Sequence, residues 1–168
     1  YITDLRAWCE IDLYYNSNPL CFGGNLYLNN QLITNLVIPD GITEIKGYAF
    51  DGCESITSIT IPNGVTSIGK GAFKGCNSLE SMTLPFVGAT KDGTGKTHFG
   101  YIFGAWSYSE NEDYVPQTLK EVTITGGTSI DSYAFKNCSS LTSVVIGDNV
   151  TSIDSLAFEN CSSLTSVV

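Results

Sequence analysis

Basic residues are scarce in this sequence. Eight lysines and arginines stand against 17 aspartates and glutamates, for a formal net charge of −9. No Lys/Arg cluster offers a local exception, which argues against a phosphate backbone or anionic lipid as partner. Long apolar runs are missing too: no window approaches the roughly 18 unbroken apolar residues of a membrane span, and no signal-peptide pattern is present. Because the chain opens on Tyr1 and stops inside a repeat, it reads as a piece of a longer array, and its missing targeting signals carry no weight. Histidine is nearly absent, so His98 is the single possible base for a serine or cysteine nucleophile, and nothing recognisable orients it; an ordinary loop histidine is expected. There is no Cys-x-x-Cys motif and no Cys/His cluster to hold a metal.

Charged residues make up only 15% of the chain, whereas 42% is hydrophobic, enough for a packed core. Ser, Thr, Asn and Gly fill the positions between apolar residues. A neutral, hydroxyl-rich surface of this kind suits short strands and turns.

What the chain has instead is self-similarity. Ile56 to Ser78, ITSITIPNGVTSIGKGAFKGCNS, is copied at Ile33 to Ser55 and Leu141 to Ser163, with a 22-residue version at Leu119 to Ser140. A repeat of about 23 residues marks a solenoid, one continuous array in which each turn contacts its neighbours. Residues 1–32 form a diverged N-terminal unit; 33–78 hold two regular repeats, 79–118 a repeat with an aromatic insertion, 119–163 two more repeats and 164–168 a truncated one. In the first unit, Leu26 to Ile33 places apolar runs around Asn29-Asn30, a hairpin signal.

Within a turn the pattern is Leu-x-x-Ile-x-Ile, as at Ile56, Ile59 and Ile61, and its last two apolar positions alternate like a half-buried strand. A Pro-Asn-Gly or Pro-Asp-Gly turn and a second apolar pair follow. Then come Ala-Phe and a cysteine, whose spacing fits one short helical turn packing inward. Cys53 and Cys76, like Cys138 and Cys161, are one repeat apart, so they read as a ladder of buried free thiols rather than a disulfide framework. Cys9 and Cys21 lie outside the ladder, and their pairing stays open.

Two places invite a binding role. On the outer face of the sheet Val37, Thr60, Thr83, Thr123 and Val145 stack into a hydroxyl-bearing strip with rows about 4.8 Å apart. The second place is the insertion: Leu79 and Leu119 are 40 residues apart instead of 23, and the extra length and its flanks carry Phe86, Phe99, Tyr101, Phe103, Trp106, Tyr108 and Tyr114. Long loops in a regular array are where function gathers, although the favoured reading of Phe-Gly-Tyr-Ile-Phe-Gly-Ala-Trp at 99–106 is that it replaces the missing Ala-Phe-Cys segment and packs against the same core. Gly93-Thr-Gly-Lys-Thr97 resembles the end of a phosphate-binding loop, but Thr90 stands where the pattern needs glycine and no helix signature follows, so it reads as a glycine-rich turn. The acidic run at Glu110, Glu112 and Asp113 has no calcium-loop spacing.

The stretch LTSVVIGDNVTSIDSLAFENCSS and its copies resemble the BspA-type leucine-rich repeats of bacterial and protist surface proteins. The resemblance implies a leucine-rich-repeat coil of short parallel strands, on a secreted or cell-surface protein often engaged in adhesion. It carries over no catalytic, cofactor or defined binding residue. General crossover rules make the coil right-handed. The expected function is noncatalytic recognition of a protein or glycan through Thr60, Thr83 and Thr123 or through Tyr101, Trp106 and Tyr108. A structural spacer is the alternative. Neither nucleic-acid binding nor membrane insertion is expected, and the uncovered ledge at Leu164 to Val168 predicts end-to-end association of this segment.

Overall fold

The computed structural model describes all of residues 1–168. Its spine is a six-stranded parallel sheet of Asn35–Val37, Ser58–Thr60, Ser81–Leu84, Glu121–Ile124, Ser143–Ile146 and Ser166–Val167, ordered as in the sequence. Register follows the repeat, with Leu36, Ile59, Met82, Val122, Val144 and Val167 side by side. All but Val167 are buried, as the alternation requires. Leu79 pairs its repeat into this sheet despite the 40-residue spacing to Leu119, so the insertion loops out without shifting register.

The second apolar pair forms strands the sequence did not announce. Glu44–Ile45 pairs in parallel with Ser67–Ile68, and Ser129–Ile130 with Ser152–Ile153. Two residues are too few for a period of two to show. Between these pairs the insertion contributes an antiparallel bridge, Ser67 to Thr90, with Ile68 N–H donating to Ala89 O at 2.8 Å. Much of the threonine content stitches turns together: the hydroxyls of Thr57, Thr66, Thr142, Thr151 and Thr165 each donate to a backbone carbonyl of the preceding turn at 3.1–3.2 Å.

The short helical turn expected at Ala-Phe-Cys is not formed. Tyr48, Gly52, Gly71, Gly75, Tyr133, Asn137, Leu156 and Asn160 all lie at positive φ, between 58° and 77°. A left-handed residue every four positions breaks an α-helix. Tight turns replace it: Ala49, Asp51 and Cys53 N–H donate to carbonyls three residues back, while Phe50 and Gly52 N–H donate across to Ala72 and Lys74 at 2.7 Å. This alternation still turns the phenylalanines inward. Phe50 stacks on Phe73 at 5.6 Å and Phe135 on Phe158 at 5.2 Å, and Phe99 of the insertion fills the gap, 4.9 Å from Phe135. Helical geometry appears elsewhere, in Leu5–Cys9, Asn111–Tyr114 and the 3-10 segment Phe99–Phe103.

The N-terminal unit closes one end of the core. Helix Leu5–Cys9 is capped by Asp4, whose carboxylate accepts from Arg6 N at 2.8 Å. The hairpin Tyr27–Leu28 and Gln31–Leu32 turns through Asn29 and Asn30 at φ 51° and 65°. Trp8 Nε1 donates to Ala49 O at 2.8 Å and buried Asn18 donates to Tyr48 O at 2.8 Å, seating the unit on the first regular turn.

All six cysteines are free thiols, so the open pairing of Cys9 with Cys21 is not made. Cys76 Sγ donates to Phe50 O at 3.3 Å and Cys161 Sγ to Phe135 O at 3.1 Å, one rung of the ladder to the next. Burial pushes Cys9 and Cys53 up to about 12 and Cys161 up to about 11. Since the thiolate is the reacting form, native labelling with a maleimide at pH 7.5 is expected to modify Cys21 rapidly and the other five only after denaturation. Mass spectrometry of the labelled peptides checks this, and rapid native labelling of Cys53 or Cys76 would contradict it.

Candidate functional site

The outer strip is present in the expected register, with Val37, Thr60, Thr83, Thr123 and Val145 side by side. Thr60 is exposed and Thr83 and Thr123 are half-buried, while valines at 52% and 41% exposure end the row. The strip is thus a short row of three threonines between two valines.

The insertion is built differently. After the strand Ser81–Leu84 the chain runs to a turn in which Thr94 N and Oγ1 both donate to Asp92 Oδ1, at 3.1 and 2.8 Å, and Thr90 Oγ1 donates to Thr94 O at 2.6 Å. A carboxylate therefore occupies the amide that a phosphate would need, and the Gly93–Thr97 motif is a closed turn. The chain then enters the Phe99–Phe103 segment, where Phe99, Ile102 and Phe103 are buried. Gly71 N–H donates to Tyr101 O at 3.0 Å and Phe73 N–H to Ile102 O at 2.9 Å, so this segment takes the place of the absent Ala-Phe-Cys turn.

His98 departs from the expectation of an ordinary loop histidine, because it is only 5% exposed. Its Nδ1–H donates to Asn111 Oδ1 at 3.3 Å, an edge-on Tyr101 ring lies 6.2 Å away, and Nε2 has no partner. No hydroxyl or thiol of the chain is held against it as a nucleophile. Burial, the largest cause, pulls its pKa below the ordinary 6.5, with Asn111 opposing. A folded pKa below the unfolded value means the unfolded chain takes up the proton first, so stability is full above pH 6.5 and is lost as pH falls through it. One group contributes at most about 1.4 kcal/mol per pH unit. Urea midpoints measured from pH 7.5 down to 5 are expected to fall, and to fall less in His98→Gln.

Beyond the 3-10 segment, Gly104 at φ 113° turns the chain outward. Trp106 follows, a residue 65% exposed. Its backbone is pinned on both sides: Trp106 N–H donates to Glu110 Oε2 at 2.7 Å, and Lys96 Nζ donates to Trp106 O at 3.0 Å. The ring forms one wall of a cleft of about 350 Å³ whose other lining residues are Tyr15, Tyr48, Lys70, Lys74, Gly104 and Tyr114. Lys70 Nζ lies 3.0 Å from the Trp106 ring centroid and Lys74 Nζ 4.4 Å from that of Tyr15. Tyr15 meets Tyr48 edge-on at 5.8 Å.

Two glycines keep the cleft open. A Cβ on Gly71 would stand 2.7 Å from the Tyr48 ring, and one on Gly104 3.3 Å from Tyr114 and 3.5 Å from Lys74. Burial lowers the Lys70 pKa, Lys96 and Lys74 push it the same way, and Glu110 opposes them. The one carboxylate paired with these cations is Asp51, almost fully buried, with Oδ2 3.8 Å from Lys74 Nζ. That distance is too long for a hydrogen bond, and burial raises the Asp51 pKa although Lys74 opposes it.

Of the six residues singled out as contacts, Trp106 alone lines this cleft, together with Tyr114 from the insertion's aromatic set. Tyr101 is half-buried beneath it. Tyr108 stacks on Tyr133 at 4.6 Å beside Lys136, a neighbouring aromatic step. Thr60, Thr83 and Thr123 sit on the sheet, a different face from the Ala-Phe-Cys turns that carry the cleft. Tyr15, Tyr48, Lys70 and Lys74 were missed. Their traces were the Lys70-x-x-x-Lys74 pair in a base-poor chain and the tyrosine before Ala-Phe at 48–50 and 133–135.

A family model for the BspA type leucine rich repeat region matches residues 22–94 and 112–168, in six copies. The unmatched stretch between them is the distal part of the insertion. No curated protein matches. Among solved structures, a leucine rich cell surface protein from Faecalibacterium prausnitzii A2-165 is similar, with 27% identity and a TM-score of 0.50 over 84% of this chain and 33% of that one. Leucine-rich-repeat proteins of T. pallidum (25% identity, TM-score 0.41, 80% of this chain and 57% of that) and Eubacterium ventriosum (21%, 0.43, 83% and 45%) are more distantly similar. The chain thus spans about a third of the length of the Faecalibacterium protein. No helix is long and apolar enough to cross a membrane.

Proposed function

The chain belongs to the BspA-type leucine-rich-repeat family, and from that premise we propose that it is a noncatalytic recognition module presented at a bacterial cell surface, binding host or neighbouring-cell protein or glycan through its insertion. The observation that carries the reading is the cleft at Trp106: where the regular repeat is interrupted, the inserted residues restore the core with Phe99 and Phe103 and still hold an exposed tryptophan beside two lysines. Core packing alone gives no reason to pin Trp106 outward from both sides. The similarity to a leucine rich cell surface protein supports the location.

Purified chain applied to arrays of extracellular-matrix proteins and glycans tests the reading, alongside Trp106→Ala and a Thr60→Ala/Thr123→Ala pair, with folding of each verified by circular dichroism. Selective binding lost in Trp106→Ala and retained in the threonine pair is the expected result. Loss in the threonine pair alone would move the site to the sheet. No binding by the intact chain would leave a structural spacer.

A further inference from the structure

Three of the eight basic residues of an acidic chain, Lys70, Lys74 and Lys96, converge around Trp106. Of the four ion pairs in the structure none involves Lys70 or Lys96, and the Lys74 pair is the 3.8 Å contact to Asp51. We propose that the cleft binds an acidic pyranose, a sugar ring bearing a carboxylate or sulfate, with its anionic group between Lys70 and Lys74 and its apolar C–H face against the exposed aromatic rings. This rests on the recognition reading above and names the class of ligand.

Charge selects the acid. On a surface of net charge −9 an anion is repelled except where cations gather, and half-buried Lys70 lies over Trp106 with no ion pair of its own, Glu110 acting on it only from beyond contact. Shape selects the ring. A volume of about 350 Å³ lies at the small end of the range for small-molecule sites, roughly 300–1,000 Å³. The walls are the rings of Tyr15, Tyr48, Trp106 and Tyr114, and the phenol hydroxyls add groups able to bond sugar hydroxyls. An extended acidic peptide fits less well, because it needs unpaired backbone groups and those at the cleft are used: Tyr48 N–H donates to Lys70 O at 3.2 Å, and Gly71 and Gly104 N–H both donate to Tyr101 O at 3.0 Å.

Calorimetric titration of the full chain with 3′-sialyllactose, a chondroitin sulfate disaccharide, lactose and hexaglutamate tests this. The expected result is saturable binding of at least one acidic sugar, at least tenfold tighter than lactose and weakened by added salt. The sialylated and sulfated arms tell carboxylate from sulfate. Lys70→Gln is expected to lower that affinity at least tenfold; Asp51→Asn, which removes the competing carboxylate, is expected to raise it severalfold, a gain that a damaged fold does not give. Equal affinity for lactose, no effect of Lys70→Gln, or binding of hexaglutamate alone overturns the proposal. If no sugar binds but Trp106-dependent binding to the protein array persists, the ligand class is wrong and the recognition reading stands; if neither occurs, both fall.

Discussion

Gly52→Ala is expected to cost about 3 kcal/mol or more, among the larger effects of a single substitution, and to unseat the N-terminal unit. Gly52 has φ 77°, and a Cβ there would stand 1.8 Å from Leu20 O and 2.7 Å from Leu20 C. Neither side can give cheaply. Gly52 N–H donates to Lys74 O at 2.7 Å, and Gly52 O accepts from Gly24 N at 3.0 Å, so the residue is tied to the next turn and to the unit above it. Relief requires residues 20–24 to lift, uncovering the end of the core. Gly75 provides the control. It holds the same slot one repeat on at φ 71°, its Cβ would come no nearer than 3.2 Å to Gly52, and the slot is filled by Asn137 and Asn160, both at φ 60°. Asn tolerates the left-handed region, so Gly75→Asn is expected to stay within about 1 kcal/mol of the parent. Urea unfolding of both variants, with limited proteolysis of residues 1–24, separates the effects. Equal losses would mean that left-handed strain and not the seating of the N-terminal unit sets the cost.

The same slot shows how far the sequence could be read. Gly52, Gly75, Asn137 and Asn160 are residue types that advertise positive φ, yet the companion slot four residues earlier holds Tyr48, Gly71, Tyr133 and Leu156, three of which conceal it. Ala, Phe and Cys at their spacing match the inward face of a helix as well as that of paired turns, which is why a helical turn was the natural expectation. The main strands were legible because Leu36 and Ile38, or Ile59 and Ile61, alternate between neighbours that face out. A two-residue strand such as Glu44–Ile45 has no alternation to show.

The cleft was half legible for a similar reason. Aromatic density pointed to Trp106, and nothing local distinguishes it from Tyr101, which the fold half-buries, or Tyr108, which stacks on Tyr133. Tyr15, Tyr48 and Lys70 come from the N-terminal unit and two successive turns. Only stacking brings them together, and the room they enclose depends on glycines 71 and 104 having no side chain. His98 was misjudged because its burial depends on Asn111, a residue with no motif to mark it.

Asn111 supports the second large prediction. Asn111→Leu is expected to cost about 3–5 kcal/mol and to abolish the binding proposed for the Trp106 cleft while leaving the sheet folded. The carboxamide is fully buried; Oδ1 accepts from Gly100 N at 2.9 Å and from His98 Nδ1 at 3.3 Å, and Nδ2 donates to Lys136 O at 2.9 Å and Ala134 O at 3.2 Å. Ala134 O keeps a second donor, Phe99 N at 2.8 Å, so leucine would strand three groups: Gly100 N–H, His98 Nδ1–H and Lys136 O. Gly100 is specific to this contact, since a Cβ there would stand 2.5 Å from Asn111 Oδ1. Asn111→Asp does not rescue the site, because it turns a carboxylate oxygen towards the carbonyls of Ala134 and Lys136. Trp106 lies between Gly100 and Asn111 in the chain, so losing this clasp frees the cleft wall before the Phe50–Phe73 and Phe135–Phe158 stacks are disturbed. Hydrogen exchange should therefore show protection lost across residues 98–115 and retained in Ser58–Thr60 and Ser143–Ile146. An unchanged urea midpoint with intact protection in the insertion would mean that aromatic packing at Phe99 and Phe103 alone holds it in place.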